Sequence, residues 1–548
     1  MEAAETLQAR RSRPAQVTPV IEALDIDIDP LEAFVRLSAG AASKAGAKSF
    51  LFESAEKGGK SAKYSFIGSG SQSIVIRDGR ITCGGRDVGP YPGGPVAYLK
   101  AFMAGYRPQP PVFFREESFS REAPPLPPFF GGLAGYISYD FVRYVDPIIG
   151  DMMDPIGDMM DPIGDMMDPI GDMMDPIGDM MDPIIGDMMD PIIGDTATDD
   201  VGCDDADLLF VEDLVVFDHA AGHKLLIANA SSTGRDSILE ARGRLKAMKQ
   251  TLSKPVQRPA APRGNGIKVR YPTPKEQYMD MVSRSKEYIL DGDAFQIVLS
   301  MRAEVEAEVD HVELYRTLKE INPSPYMYFL EFGDTAIVGS SPEILSKVVG
   351  RQVIVRPIAG TRRRGRSDEE DKALEAEMKA DPKEVAEHVM LVDLGRNDVG
   401  KVSKFGSVRV DDFMGVEKYS HVMHIVSNVV GDLEDDKDAI DVLAATFPAG
   451  TVSGAPKTRA MQIIEELEGS RRGLYAGCVG YFCFNGNMDT AIAIRTILLK
   501  NGKAYVQAGA GIVMDSVPEN EYNESMSKGA AMIKALEIAC NNGGREQE

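Results

Sequence analysis

Alternating apolar and polar positions, broken by turn residues, predict a series of short strands in the first part of the chain. Residues 49–54 (Ser-Phe-Leu-Phe-Glu-Ser), 64–68 (Tyr-Ser-Phe-Ile-Gly) and 73–76 (Ser-Ile-Val-Ile) read this way. Asp78-Gly79, just after the third, is the dipeptide of a two-residue hairpin turn. Residues 131–139 form a further strand whose glycines mark close backbone approach. Residues 208–211, 214–218 and 225–228 continue the sheet. The period then changes. Thr273-Pro274-Lys275-Glu276 reads as a helix start, with a capping Thr, Pro at the first helical position and Glu three residues after the cap. Tyr278, Met281, Val282 and Ile289 follow at helical spacing. Beyond them strands and helices mix without strict βαβ alternation. The pattern predicts a mixed, largely antiparallel α/β architecture of the α+β type and speaks against a doubly wound nucleotide fold.

One segment obeys neither period. From 151 to 194 the unit Asp-Met-Met-Asp-Pro-Ile-Gly recurs six times, the last two copies with a doubled Ile, and a partial copy precedes it. A seven-residue repeat suggests a coiled coil, but Pro and Gly in every copy cost about 3 and 1 kcal/mol per helix-interior site. The unit is also shorter than solenoid repeats, and its glycines lack calcium-loop spacing. It reads as a low-complexity insertion in a surface loop, where closure entropy grows only logarithmically with length. The expected organisation is a disordered leader at 1–17 and an N-terminal regulatory subdomain at 18–252 interrupted by the repeat at 146–195. A Pro/Ala/Gly-rich linker at 253–270 and a catalytic domain at 271–540 follow.

Composition is ordinary for a globular chain of 548 residues, 43% hydrophobic and 26% charged. No apolar run is long enough to span a membrane, and no apolar stretch follows the N-terminal arginines as in a secretory signal. The net charge of −24 argues against nucleic acid as a partner; half of it comes from the repeat's 12 aspartates. Five cysteines, odd in number and without zinc or redox spacing, suit a reducing, cytoplasmic compartment.

Two Glu-x-x-Glu pairs carry candidate chemistry: Glu384 with Glu387, and Glu521 with Glu524. Glutamates three apart on a helix share a face. One pair alone is a solvated helix face; two brought together make an all-oxygen anionic site suited to a hard cation such as magnesium. In Thr490–Thr496, strand alternation puts Ala491, Ala493 and Arg495 on one face and Ile492 and Ile494 on the other. Arg495 then either projects into a pocket or ends a strand at the surface. Gly509 and Gly511 either admit a close ligand or mark a bulge.

Seven ordered motifs settle the wider context: residues 322–327 (Asn-Pro-Ser-Pro-Tyr-Met), 341–343 (Ser-Pro-Glu), 357–362 (Pro-Ile-Ala-Gly-Thr-Arg), 387–398 (Glu-His-Val-Met-Leu-Val-Asp-Leu-Gly-Arg-Asn-Asp), 419–424 (Tyr-Ser-His-Val-Met-His), 447–457 (Phe-Pro-Ala-Gly-Thr-Val-Ser-Gly-Ala-Pro-Lys) and 507–511 (Gln-Ala-Gly-Ala-Gly). Through them the chain resembles the chorismate-utilising enzymes, and within these the anthranilate synthase component I family, over roughly 273–536 and more weakly over 21–218. The resemblance implies a β-sandwich flanked by helices and chorismate as substrate. It implies magnesium held directly by Glu387 and Glu524, with Glu384 and Glu521 in or beside that shell. It makes Arg495 a fork for the enolpyruvyl carboxylate, assisted by backbone N–H groups of Gly509, Ala510 and Gly511, with Gly360, Thr361 and Tyr475 as further substrate contacts. Glu343 is similar to the acid that assists loss of the ring hydroxyl; His424 and Thr451 match active-site positions. His421 is expected to be a core histidine.

Within that family the hydrating enzymes resemble one another in a basic lysine where this chain has Gln296, an amide that cannot deprotonate water. Enzymes aminating at C4 typically carry a lysine where this chain has Ala359, which supplies neither nucleophile nor base. The resemblance therefore implies amination of chorismate at C2 and pyruvate elimination to anthranilate, the first step of tryptophan biosynthesis. A 4-amino-4-deoxychorismate synthase component is the alternative; a non-catalytic chorismate or tryptophan sensor is disfavoured by the presence of Glu343, Glu387, His424, Arg495 and Glu524. No cysteine sits in a Gly-rich nucleophile turn, so ammonia is expected from a separate glutamine amidotransferase subunit. Ser54, with Pro325, Tyr326 and Met327, resembles the family's site for inhibitory L-tryptophan; Phe52 replaces a usual Leu there.

Overall fold

The computed structural model of the protein describes residues 14–41, 46–54, 63–114, 125–145, 197–256, 266–419 and 422–542. The repeat at 146–195, most of the expected leader and His421 lie outside the described residues. The strand Ala15–Ala23 begins inside the stretch expected as leader, and Val17 is already buried.

Two sheets, of 14 and 12 strands among the described residues, form the body of the fold. Their strand pairs are antiparallel, apart from parallel pairing of Ala15–Ala23 with two short strands, Tyr106–Pro108 and Val112–Phe114. The expected strands form. Ser73–Arg77 and Arg80–Cys83 make the hairpin over Asp78 and Gly79, both at positive φ (47° and 73°) as a primed turn requires. In Gly132–Ile137 a Cβ on Gly135 would stand 2.1 Å from the Asp207 carbonyl oxygen, so only glycine fits.

The sheets pack face to face. Phe50, Phe66, Val216, Tyr328 and Leu498 from the larger meet Ala134, Tyr136, Leu209, Val479 and Tyr481 from the smaller in one apolar layer. Helices cover the outer faces. Phe34, Leu245, Tyr315 and Leu536 seal the larger sheet, and Leu99, Val392 and Leu443 the smaller. This is the helix-flanked sandwich expected. The N- and C-terminal portions share both sheets. Lys48–Glu53 pairs with Tyr326–Phe332, and Gly132–Ile137 with Cys478–Cys483.

The helix expected near 273 runs Lys275–Leu290 and buries Tyr278, Met281 and Val282 as its period requires. Its start differs from expectation. Pro274 occupies the cap, and no side chain caps the helix; the fixed φ of proline suits this extended position and moves Thr273 one residue outside. None of the helices among the described residues is long and apolar enough to cross a membrane, and all five cysteines are free thiols.

Candidate active site

Two places where the chain steps from one sheet to the other define the site. Pro342-Glu343 links Thr335–Ser341 in the larger sheet to Ile344–Val349 in the smaller; residues 493–495 link Met488–Ile492 back to Thr496–Lys500. The crossings are stitched together: Ile492 N–H donates to the Glu343 carbonyl at 3.0 Å, and Ser340 N–H to the Arg495 carbonyl at 3.1 Å. The segment carrying Tyr475 joins them, since Ala476 N–H donates to the Ala493 carbonyl at 3.0 Å and Ala493 N–H to that of Gly477 at 2.8 Å. Glu343, Arg495 and Tyr475 are thus fixed side by side by backbone alone.

Arg495 corrects the strand reading. The strand ends at Ile492, and Arg495 sits in the left-handed region at φ 52°. Alternation through Thr490–Thr496 therefore does not set its direction; the crossing does. A non-glycine residue held there stores about 1–3 kcal/mol of strain, tolerated where surrounding structure fixes it.

Glu343 is the most perturbed acid of the site. Its residue keeps some solvent contact, but its carboxyl is packed within the wall, and burial pushes its pKa up to about 7. Thr451, on the turn Gly450–Val452, opposes this by donating Oγ1–H to Glu343 Oε1 at 2.8 Å, and Lys528 opposes it by its charge. A carboxylic acid half-protonated near neutrality can give a proton away.

The strand Lys503–Ile512 forms the next wall. Its neighbour Thr496–Lys500 pairs with it only as far as Val506, leaving one edge beyond open. On the other side Ser300 and Val298 stand opposite Gly509 and Gly511. Ser300 gives its N–H to Glu468 and Val298 gives its carbonyl to Arg472, so neither bonds across that ladder. The Gly509 carbonyl turns to the open edge, where Lys528 Nζ meets it at 3.0 Å. Since N–H and C=O of a strand residue point to the same side and alternate along the chain, Gly509 and Gly511 direct their N–H groups to the open edge. Ala510, expected as a third donor, turns its N–H into the ladder. Arg495 lies near that edge, within electrostatic reach of Glu524, whose partner Lys528 holds the Gly509 carbonyl.

The acidic pairs come from two helices. Pro382–Gly400, capped by Asp381 accepting from Lys383 N–H at 3.0 Å, carries Glu384 and Glu387. Pro518–Asn542 carries Glu521 and Glu524. Both pairs lie within the influence of the same cations: Lys528 opposes the burial that raises Glu343, Glu387 and Glu521, Lys383 opposes it at Glu387 and Glu521, and the negative charge of Glu524 supports the charge of Arg495. Glu387 is raised by burial and by Glu384, Glu521 by burial and by Glu524. Yet no group of three or more His, Cys, Asp or Glu among the described residues is gathered closely enough to hold a metal. One member of each pair already meets a cation: Glu384 meets Arg362 at 2.7 Å and Glu524 meets Lys528 at 2.7 Å. A ready-made four-glutamate shell is therefore not what the side chains form. The donor chemistry still fits a hard divalent ion: Glu387 and Glu521 are carboxylates without a direct ion-pair partner among the described residues, raised first by burial and then by their neighbouring glutamates.

His424 stands across from these helices on Val422–Asp432. Its Nδ1 lies 2.9 Å from the Gly360 carbonyl and 3.1 Å from Thr361 Oγ1. A carbonyl only accepts, so Nδ1 carries the proton. Burial, with Arg495 adding to it, holds the imidazole pKa below its ordinary value, leaving Nε2 a lone pair at neutral pH. Gly360 is required at its bulge, where φ is 63° and a Cβ would stand 3.2 Å from Glu384 Oε2. Gln296 also reaches the site, its amide donating to Glu387 at 3.4 Å. Ala359 is buried on the strand that carries Gly360.

Tyr475 is buried against Arg472, and burial pushes its hydroxyl up to about 12. Lys528, Arg362 and Arg472 were not anticipated from the sequence. Spacing i, i+4 from Glu524 is a signal that could have found Lys528.

Farther along the larger sheet, Glu53 is opposite Met327, and the same antiparallel register puts Ser54 opposite Tyr326. Ser54 Oγ is buried with no hydrogen-bond partner among the described residues. Met327 is buried, and Tyr326 OH donates to Asp489 at 3.0 Å.

An acid, an arginine and two glutamate pairs beside the crossings of a helix-flanked sandwich make a candidate active site, and comparison with known proteins gives the family. Residues 191–534 match the chorismate binding enzyme family, and the chain belongs to it. Its relatives point to one branch. It is 41% identical to anthranilate synthase component 1 of Acetivibrio thermocellus, covering 89% of this chain and 90% of that protein. With the Aquifex aeolicus protein of the same name the identity is 41%, over 95% of each. The crystal structure of anthranilate synthase component I from Streptococcus pneumoniae superposes with a TM-score of 0.68 at 33% identity, covering 87% of this chain and 94% of that one.

Proposed function

We propose that the protein is the aminating subunit of an anthranilate synthase. The observation that carries this is the grouping of Arg495 and Glu343 at the sheet crossings, the Gly509 and Gly511 N–H groups at an open strand edge, and two glutamate pairs that share the influence of Lys528 and Lys383. The substrate has the complementary parts: two carboxylates and a hydroxyl that must leave.

Arg495 and the N–H groups of Gly509 and Gly511 take the enolpyruvyl carboxylate, and Tyr475 closes the pocket behind it. Glu387 with Glu521 and Glu524 would hold magnesium, once Lys528 releases Glu524. Bound there, the ion supplies Lewis-acid stabilisation to the ring carboxylate. Protonated Glu343 delivers its proton to the C4 oxygen as ammonia attacks C2 and the hydroxyl departs as water. Neutral His424, held by Gly360, offers Nε2 as acceptor for the proton lost when pyruvate is eliminated. Gln296 and Ala359 at their positions support amination at C2 over hydration or C4 chemistry. Ammonia comes from a glutamine amidotransferase partner, and the five free thiols suit a cytoplasmic setting. With chorismate, magnesium and ammonium, the pure protein is expected to form fluorescent anthranilate, faster at alkaline pH where free ammonia is abundant; a non-aromatic aminated product would favour the C4 reading.

Metal binding gives a separate prediction. Glu524→Gln is expected to fold normally and to lose roughly tenfold or more of its turnover at limiting magnesium. Near-wild-type magnesium titration curves in the variant count against the ligand assignment.

The second ligand is L-tryptophan, at Ser54, Pro325, Tyr326 and Met327. Its support is the Ser54 hydroxyl, buried with no partner among the described residues, since an unsatisfied buried donor costs about 1–3 kcal/mol that a bound polar group can recover. Ser54→Phe is expected to keep turnover while inhibition by tryptophan weakens at least tenfold, roughly the loss of one or two such bonds. Unchanged inhibition in steady-state assays contradicts the site.

A further inference from the structure

Behind the substrate wall lies a buried ion pair that the chemistry above does not use. Glu468 ends the helix Lys457–Glu468, Gly469 turns the chain through the left-handed region at φ 61°, and Arg472 folds back on Glu468. The two side chains are 2% and 5% exposed. Arg472 meets the carboxylate as a fork, Nη2 to Oε1 at 2.6 Å and Nε to Oε2 at 2.9 Å.

Its remaining donors run to the site's supports. Nη1 donates to the Val452 carbonyl at 2.7 Å, next to Thr451, and Nη2 to the Val298 carbonyl at 2.7 Å. The guanidinium lies over the Tyr475 ring, 5.5 Å from its centre, and over Tyr139 at 4.8 Å. Glu468 Oε1 accepts from Ser300 N–H at 2.8 Å and from its hydroxyl at 2.9 Å. One pair therefore fastens the turn that presents Thr451 to Glu343, the ring of Tyr475, and the strand that backs Gly509 and Gly511.

We infer that Arg472 and Glu468 are a positioning pair that sets Thr451 and Tyr475 for turnover, an inference resting on the function proposed above. Stability alone does not account for the pair. Desolvating two charges usually costs as much as their attraction returns, and apolar residues of similar volume often serve a core as well or better. What apolar residues cannot supply is a planar fork that hydrogen-bonds a carboxylate and two separate carbonyls while stacking on two rings. Arg356 and Asp398 line the same cavity as Glu343, but Thr451 and Lys528 are the groups that lower its pKa, so loosening the Thr451 turn weakens one of the two influences that favour its ionised form.

The test compares the parent protein with the double variant Arg472→Met/Glu468→Met and with Glu468→Gln, in chorismate-plus-ammonium turnover and thermal unfolding. The expected result for the double variant is a folded protein whose kcat falls about 10- to 100-fold, as for other supporting residues behind an active site. Its basic limb of kcat against pH should move up by roughly half a unit to one unit, the worth of one hydrogen bond to Glu343. A folded double variant with kcat within twofold of the parent, or with lowered kcat and an unmoved limb, overturns the inference. If the double variant does not fold, Glu468→Gln decides by the same two readouts. A parent that does not turn over chorismate refutes the function itself, independently of the pair.

Discussion

Glu343→Gln is expected to lower kcat for anthranilate formation roughly 10²- to 10⁴-fold, the usual contribution of a positioned general acid. Chorismate KM should stay within about threefold, because the substrate's carboxylates are held elsewhere. Glutamine keeps the shape and an oxygen to accept from Thr451, so the loss isolates the proton. Stability offers an independent reading of the same carboxyl. Its folded pKa, about 7, lies above the ordinary 4.5 of an unfolded glutamate. The folded state therefore holds the proton more tightly, and this group's contribution to stability falls as pH rises from about 4.5 to about 7. The shift corresponds to about 3 kcal/mol as an upper bound. The variant should lose that part of the pH dependence and be the more stable protein above pH 7, as measured by unfolding at several pH values. A variant with parental turnover near neutrality removes Glu343 from the mechanism.

Arg495→Lys carries the second large effect. Lysine keeps the charge and any side chain meets the same backbone at φ 52°, so the fold should persist. What disappears is the planar fork at the edge where Gly509 and Gly511 direct their N–H groups. Imperfect pairing of a desolvated carboxylate costs about 2–4 kcal/mol, or roughly 30- to 1,000-fold in kcat/KM. Most of the loss should fall in KM, because the enolpyruvyl carboxylate lies away from the ring carbons that react in the amination step. A kcat/KM within threefold of the parent places that carboxylate somewhere else.

These residues also show how far the sequence reaches. Asp78-Gly79, the glycines of Gly132–Ile137 and the apolar face of Lys275–Leu290 act through local geometry, and each was legible. The sandwich was legible through family resemblance, since periodicity gives strands and not their partners. Arg495 was placed on a strand because alternation runs unbroken through Thr490–Thr496; no Gly or Pro marks the step between sheets. The glutamate pairs were expected to share a cavity; one member of each, Glu387 and Glu521, feels both Lys528 and Lys383. Their engagement by Arg362 and Lys528 was missed, because Arg362 lies 22 residues from Glu384. The open edge at Gly509 and Gly511 depends on where the neighbouring strand stops pairing, which only three dimensions display.

A crystal structure of the protein with chorismate and magnesium, without ammonium, tests the central claim most directly. It should show the enolpyruvyl carboxylate on Arg495 and on the N–H groups of Gly509 and Gly511, and the ring carboxylate turned toward the cation beside Glu387 and Glu524, with Glu343 against the C4 oxygen. Chorismate bound away from the two sheet crossings, or bound there with both glutamate pairs facing bulk solvent, would contradict it.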